Sequence, residues 1–122
     1  MPGYQKYTEL DVCKQARELA IHVYELTASY LKSEQFGIVS QIRMCVISVP
    51  SNIAEGFERQ HTKETMSFLS IARGSFFELE TQLYFLKNLS FITNDQLIIC
   101  LTKIEGVGKL INRFMRYFNI KT

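Results

Sequence analysis

Apolar residues recur at intervals of three and four along nearly the whole chain, and helices are the structures that gather such a pattern onto one face. The first stripe is Val12, Ala16, Leu19, Val23, Leu26 and Tyr30. The second runs Ile38, Ile42, Cys45 or Val46, Val49, Ile53 and Phe57. The third is Phe68, Ala72, Ser75 or Phe76, Leu79, Leu83 and Leu86, and the fourth Leu97, Leu101, Ile104, Gly108, Ile111, Phe114 and Phe118. No apolar run alternates with period two between turn signals, so strands are not expected. The spacing predicts helices over 8–31, 38–58, 63–88 and 94–119. Joined by short loops, they pack most simply as an all-α, antiparallel up-down-up-down four-helix bundle. A single domain over 1–122 follows, with short flexible ends at about 1–7 and 120–122.

Local signals fit these boundaries. Gly37 breaks the chain after "KSEQF". Thr62 is placed to cap the third helix, with Glu64 in its positive first turn. Thr93 and Gln96, three residues apart, form a capping box before the fourth.

Composition narrows function only by exclusion. With 47% apolar and 21% charged residues the chain can fill a core, which excludes disorder as its main state. Fourteen basic against twelve acidic side chains leave +2, which is not the strongly basic balance that by itself marks a nucleic-acid binder. Cys13, Cys45 and Cys100 are too widely spaced for zinc and odd in number, so they read as small buried apolar residues. The first ten residues lack an apolar signal core, and no run reaches the roughly 18 apolar residues of a membrane span. A cytoplasmic location without membrane association is expected.

The second stripe keeps its helical phase across Pro50, so one helix is expected to continue through it with a bend. Proline lacks an N–H and crowds the carbonyl four residues earlier, at a typical cost of about 3 kcal/mol. Ser48 and Ser51 are nearby groups that can satisfy backbone atoms. Two readings stand: the proline bends the helix around the core, or the bend aims Asn52, Glu55 and Arg59, which share a face, at a partner. Gly56 permits close backbone approach or helix termination.

Catalytic groups do not converge in the sequence. His22 and His61 lie on separate segments, and Glu18 four before His22 has no second matching set, as a di-iron bundle requires. Glu78 and Glu80 point in different directions on a helix. No cofactor, metal or enzymatic activity is expected. Charge is nevertheless uneven. From residue 103 to 122, five basic residues stand against Glu105 alone, 5 minus 1 giving +4. Lys109, Arg113 and Arg116 share one face, either as a solvated stripe near the negative helix end or as a phosphate-binding surface. Arg43 and Arg73 join it if the helix order brings them to the same side. On the third helix, Phe77, Tyr84 and Phe85 carry apolar surface beyond what one seam needs.

The segments "QIRMCVISVPSNIAEGFER", "FLSIARGSFFELETQL" and "ELAIHVYELT" resemble the four-helix-bundle family of 23S ribosomal RNA intervening-sequence proteins, in register over roughly residues 8 to 118. Pro50, Asn52, Glu55, Gly56, Arg59, Gly74 and Glu78 carry the likeness. That family is similar in fold to the accessory variability protein of diversity-generating retroelements, a homopentamer that binds nucleic acid and a reverse transcriptase. The resemblance implies no enzymatic activity and assembly into a five-fold ring, with RNA, DNA or a nucleic-acid-processing protein as partner. A ring interface would also bury the surplus aromatics of the third helix.

Overall fold

The computed structural model describes residues 10–29 and 37–121, with side chains to 118. Among them are helices α1 (Asp11–Leu26), α2 (Ile38–Glu58), α3 (Thr62–Asn88) and α4 (Asn94–Lys121), and no strand. Each helix packs on two neighbours, α1 on α2 and α4, α3 on α2 and α4, around one core. Contacts run in opposite residue order on adjacent helices. Gly56 of α2 meets Thr65 and Phe68 of α3 while Cys45 and Ser48 meet Ser75. Gly108 of α4 touches Phe76, and Asn112 bonds Arg73.

The stripes set what is buried. Val12, Ala16, Leu19 and Val23 of α1 face Ile42, Val46, Val49 and Ile53 of α2 and Leu69, Ala72, Leu79, Leu83 and Leu86 of α3 within the same cluster. The expected stripe of α4 is rotated. Leu97, Ile104 and Ile111 are in the core, but Cys100, Val107 and Met115 complete it, whereas Leu101, Phe114 and Phe118 pack at its edge. Helix α4 must bury the arc between α1 and α3, and the aromatic edge instead packs outside it, Phe114 edge-to-face with Phe118 at 4.9 Å and stacked on Phe57 at 6.4 Å. On α3, Leu69 rather than Phe68 points inward.

The helix ends confirm some signals and correct others. Thr93 N–H donates to Gln96 Oε1 at 2.9 Å and Gln96 N–H to Thr93 Oγ1 at 3.1 Å, the reciprocal box expected before α4. Thr62 does not cap α3. It is the first helical residue, after His61 in an extended conformation, and no side chain bonds that end. Helix α1 stops at Leu26, short of the expected 31, because Thr27 turns the chain and its Oγ1 donates back to Val23 O at 2.9 Å. The expected start at residue 8 and the stripe's last member, Tyr30, lie outside the described residues, as does the expected flexible segment 1–7.

Helix α3 ends in a paired-bond cap: Phe91 N–H donates to Leu86 O at 2.8 Å and Ser90 N–H to Lys87 O at 3.0 Å. That cap holds Ser90 at φ 64°, where a side chain crowds its own backbone. Ser90→Gly is therefore expected to raise the unfolding free energy by about 1 kcal/mol, read as a higher denaturation midpoint with unchanged slope.

Helix α2 runs unbroken through Pro50. Ser48 Oγ donates to Cys45 O at 2.7 Å, and Asn52 Nδ2 donates to Ser48 O at 2.7 Å, so side chains flanking the proline bond to carbonyls of the preceding turn. Asn52 does this rather than Ser51, which is exposed.

Candidate functional site

The conspicuous stretch from Pro50 to Arg59 builds the α2–α3 corner. Gly56 lets the helices approach until an added Cβ would sit 3.2 Å from Phe68 Cβ and 3.2 Å from Thr65 O. Thr65 Oγ1, buried, donates to Gly56 O at 2.9 Å. Arg59 pairs with Glu55 at 2.7 Å, and its guanidinium lies 4.7 Å from the Phe68 ring centroid. That ion pair is exposed and contributes roughly 0.3–0.5 kcal/mol. Asn52 is turned to its own backbone. The strip Asn52, Glu55 and Arg59 thus locks local geometry through groups it already holds.

The three cysteines are buried, and burial pushes each thiol up to about 11. Nearby Arg17 and Lys103 oppose this for Cys13 and Cys100, and Glu78 adds to it for Cys45. At neutral pH these are thiols, not nucleophilic thiolates. Cys45 instead donates to Ser75 O at 3.2 Å, beside a 2.7 Å contact between the Ser48 and Ser75 hydroxyls. His22 is held below its ordinary pKa by partial burial and then by Lys103, against the pull of Glu25. His61 is exposed at the α2–α3 turn. Among the described residues no three His, Cys, Asp or Glu side chains are placed to hold a metal. No helix among them is long and apolar enough to cross a membrane.

The basic candidates divide among three places. Arg73, Glu80, Tyr84, Glu105, Lys109 and Asn112 line a groove between α3 and α4. Arg73 Nη1 donates to Asn112 Oδ1 at 3.1 Å, which fixes the guanidinium across the groove. Arg116 continues the surface beside Arg73 and Asn112. Lys109 pairs with Glu105 at 3.3 Å, both strongly exposed. Three cations therefore share one surface with the carboxylates of Glu80 and Glu105. Arg113 lines a separate groove between α1 and α4, with Asp11, Phe114 and Tyr117.

Arg43 is elsewhere, at the C-terminal end of α1. Its Nε donates to Thr27 Oγ1 at 2.9 Å and its Nη2 to Tyr24 O at 3.1 Å, with the guanidinium 4.3 Å from the Tyr24 ring centroid. A cation at that position satisfies a terminal carbonyl and the negative helix end. Asn112, which anchors Arg73, was not legible as part of a site; its signal is a position four before Arg116 and three after Lys109 on the basic face. Glu78 lies in the α2–α3 groove and Glu80 in the α3–α4 groove, so the two diverge as expected.

Along the groove rims α3 presents Ile71, Phe77, Tyr84 and Phe85 to solvent, Phe77 and Tyr84 on the α4 side and Ile71, with the exposed Met44 of α2, on the α2 side. Gly74 stands on the same face with open space around it.

The family model for the 23S rRNA-intervening sequence protein matches residues 8–113. Among solved structures, one of a protein with unknown function from the S23 ribosomal protein family of Bacteroides thetaiotaomicron VPI-5482 superposes with a TM-score of 0.76 at 22% identity. The match covers 85% of this chain and 97% of that one, and it shows the shared fold. Comparison with curated proteins gives no match.

Proposed function

The chain belongs to the 23S rRNA-intervening sequence protein family, and on that premise we propose a non-enzymatic, cytoplasmic homo-oligomer that binds nucleic acid, or a protein that processes it, through a repeated basic surface. The observation that carries the reading is the α3–α4 surface, where Arg73, Lys109 and Arg116 stand together and Asn112 pre-orients one guanidinium. A guanidinium held in place loses less freedom on meeting a phosphate. Repetition around an assembly, five-fold as the resemblance implies, multiplies a modest local charge. Phosphate contacts then dominate, and base readout is minor.

Binding of labelled mixed-sequence RNA and duplex DNA, measured from 50 to 200 mM salt, tests this. With about five phosphates neutralised, affinity falls by roughly two to three orders of magnitude over that range, alike for unrelated sequences. Absence of binding at 50 mM salt, with the oligomer present, would favour a second reading, a protein-interaction scaffold indifferent to nucleic acid. The carboxylates of Glu80 and Glu105 among the three cations, one of them paired with Lys109, are the feature that favours that alternative.

A further inference from the structure

We infer that the groove between α1 and α2 is a binding site for a small amphiphile, a single carboxylate on an apolar body, with Arg43 as its anchor. The inference is independent of the nucleic-acid and oligomer readings above. A guanidinium presents five N–H donors in a planar fork. In Arg43 the Nε–H is engaged by Thr27 Oγ1 at 2.9 Å and one Nη2 hydrogen by the Tyr24 carbonyl at 3.1 Å, with Cζ 4.3 Å from the Tyr24 ring centroid. Capping the end of α1 thus occupies the side of the fork. It leaves the end of the fork, Nη1 and the second Nη2 hydrogen, without an acceptor among the described residues. That end is an edge on which a carboxylate forms two parallel bonds.

The groove that Arg43 lines supplies the rest. Its volume is about 600 Å³, within the roughly 300–1,000 Å³ of small-molecule sites. Met44 and Ile47, 71% and 42% exposed, form apolar walls with the ring of Tyr24, and Ser40 and Ser48 add hydroxyls. Ser40, Met44 and Ile47 recur at steps of four and three, so they make one strip along α2 beside Arg43. No carboxylate lines this groove. The α2–α3 groove holds Glu78, the α3–α4 groove Glu80 and Glu105, and the α1–α4 groove Asp11.

These features select the ligand. Arg43 is the one charged side chain lining the groove, so a single negative charge is what it can neutralise. The negative end of α1, to which the guanidinium is already bonded, offsets part of its field. A phosphate monoester carries nearly two charges at neutral pH and would keep one unpaired. A nucleic-acid strand would find no second cation to follow and would lay polar backbone on Met44 and Ile47. A neutral alcohol would leave the end of the fork unused. A carboxylate on a chain of about eight carbons answers both halves of the groove: the fork takes the head, and the α2 strip takes the chain out of water. Because the guanidinium is already held, little freedom is lost on binding.

Octanoate, titrated into the isotope-labelled full chain up to about 10 mM and followed by NMR, tests the assignment. It shifts the Arg43 Nε–H resonance and the amides of Met44 and Ile47, with a Kd of about 1 mM or lower, and raises the denaturation midpoint. Acetate, which lacks the body, and octanol, which lacks the charge, bind at least tenfold more weakly. Arg43→Gln lowers octanoate affinity at least tenfold but also removes a bond at the end of α1. Two further variants leave the bonds of Arg43 in place. Ser40→Glu sets a carboxylate of the chain's own in the groove and lowers octanoate affinity at least tenfold. Ile47→Ser lowers it several-fold and leaves acetate unaffected, and both variants keep wild-type helix content by circular dichroism.

Octanoate that moves none of these resonances would overturn the inference. So would octanol that moves them at the same concentration as octanoate, since the groove would then be an apolar surface without an anion site. Octyl phosphate binding there at least tenfold more tightly than octanoate would give Arg43 to phosphate instead. Octanoate affinity unchanged in both Ser40→Glu and Ile47→Ser would place the ligand outside this groove.

Discussion

Glutamine at positions 73, 109 and 116 together lowers affinity for RNA and for duplex DNA by roughly 100-fold or more at low salt and flattens the salt dependence. The argument is one of counterion release. Each neutralised phosphate contributes about 0.9 to the slope of log affinity against log salt, so with about five phosphates contacted, removing the cations of adjacent copies takes a slope of about 4.5 most of the way to zero. The three side chains lie on the surface, where such substitutions change stability by about 0.5 kcal/mol or less. Helix content and assembly are therefore expected to persist. Glutamine retains an amide donor for Asn112 while removing the charge, which separates phosphate attraction from local shape. Arg113→Gln is the comparison, because Arg113 lines the α1–α4 groove. A loss as large from that single change would move the binding surface there, and an unaltered slope in the triple variant would refute phosphate binding by the α3–α4 groove.

The fold was legible because helical periodicity is local information. Four stripes gave α2 to the residue at both ends and α3 and α4 to within one or two at each described end. Where the reading slipped, tertiary neighbours decided. The face α4 buries depends on where α1 and α3 stand, which moved the seam from Leu101 and Phe114 toward Cys100, Val107 and Met115. Thr62 had the chemistry of a cap, but the first helical turn formed one residue earlier. Helix α1 ends where Thr27 turns the chain, and Arg43, sixteen residues beyond, bonds the Thr27 hydroxyl and the carbonyl of Tyr24 there.

The candidate site was half legible. Lys109, Arg113 and Arg116 share a face by spacing, but 40° between Lys109 and Arg113 is enough to place them in different grooves once neighbours are present. Whether Arg43 and Arg73 joined them depended on helix order. Helix α3 brought Arg73 to Asn112, and α2 took Arg43 to α1. Gly56 and Gly74 look alike as letters. Packing separates them, one against Phe68 and Thr65 and the other against nothing in its own chain.

That difference makes Gly56 the position where a small change should cost most. Gly56→Val is expected to lower the unfolding free energy by about 3 kcal/mol or more, and Gly56→Ala by about 1–2 kcal/mol. An added Cβ meets Phe68 Cβ and Thr65 O, both at 3.2 Å. Neither atom belongs to the free end of a side chain, so relief requires α2 and α3 to separate. Separation stretches the buried Thr65 Oγ1 bond to Gly56 O, now 2.9 Å, and an unmade buried bond costs about 1–3 kcal/mol. It also lifts Arg59 from the Phe68 ring. Against these stands the helix preference for alanine over glycine, about 1 kcal/mol, which is why alanine loses less than the clash alone suggests. Valine adds branched bulk and lacks that gain. Denaturant unfolding with unchanged slope measures both. A rise in the Gly56→Ala midpoint would show that the last turn of α2 yields freely, and that the glycine is not what lets the two helices meet.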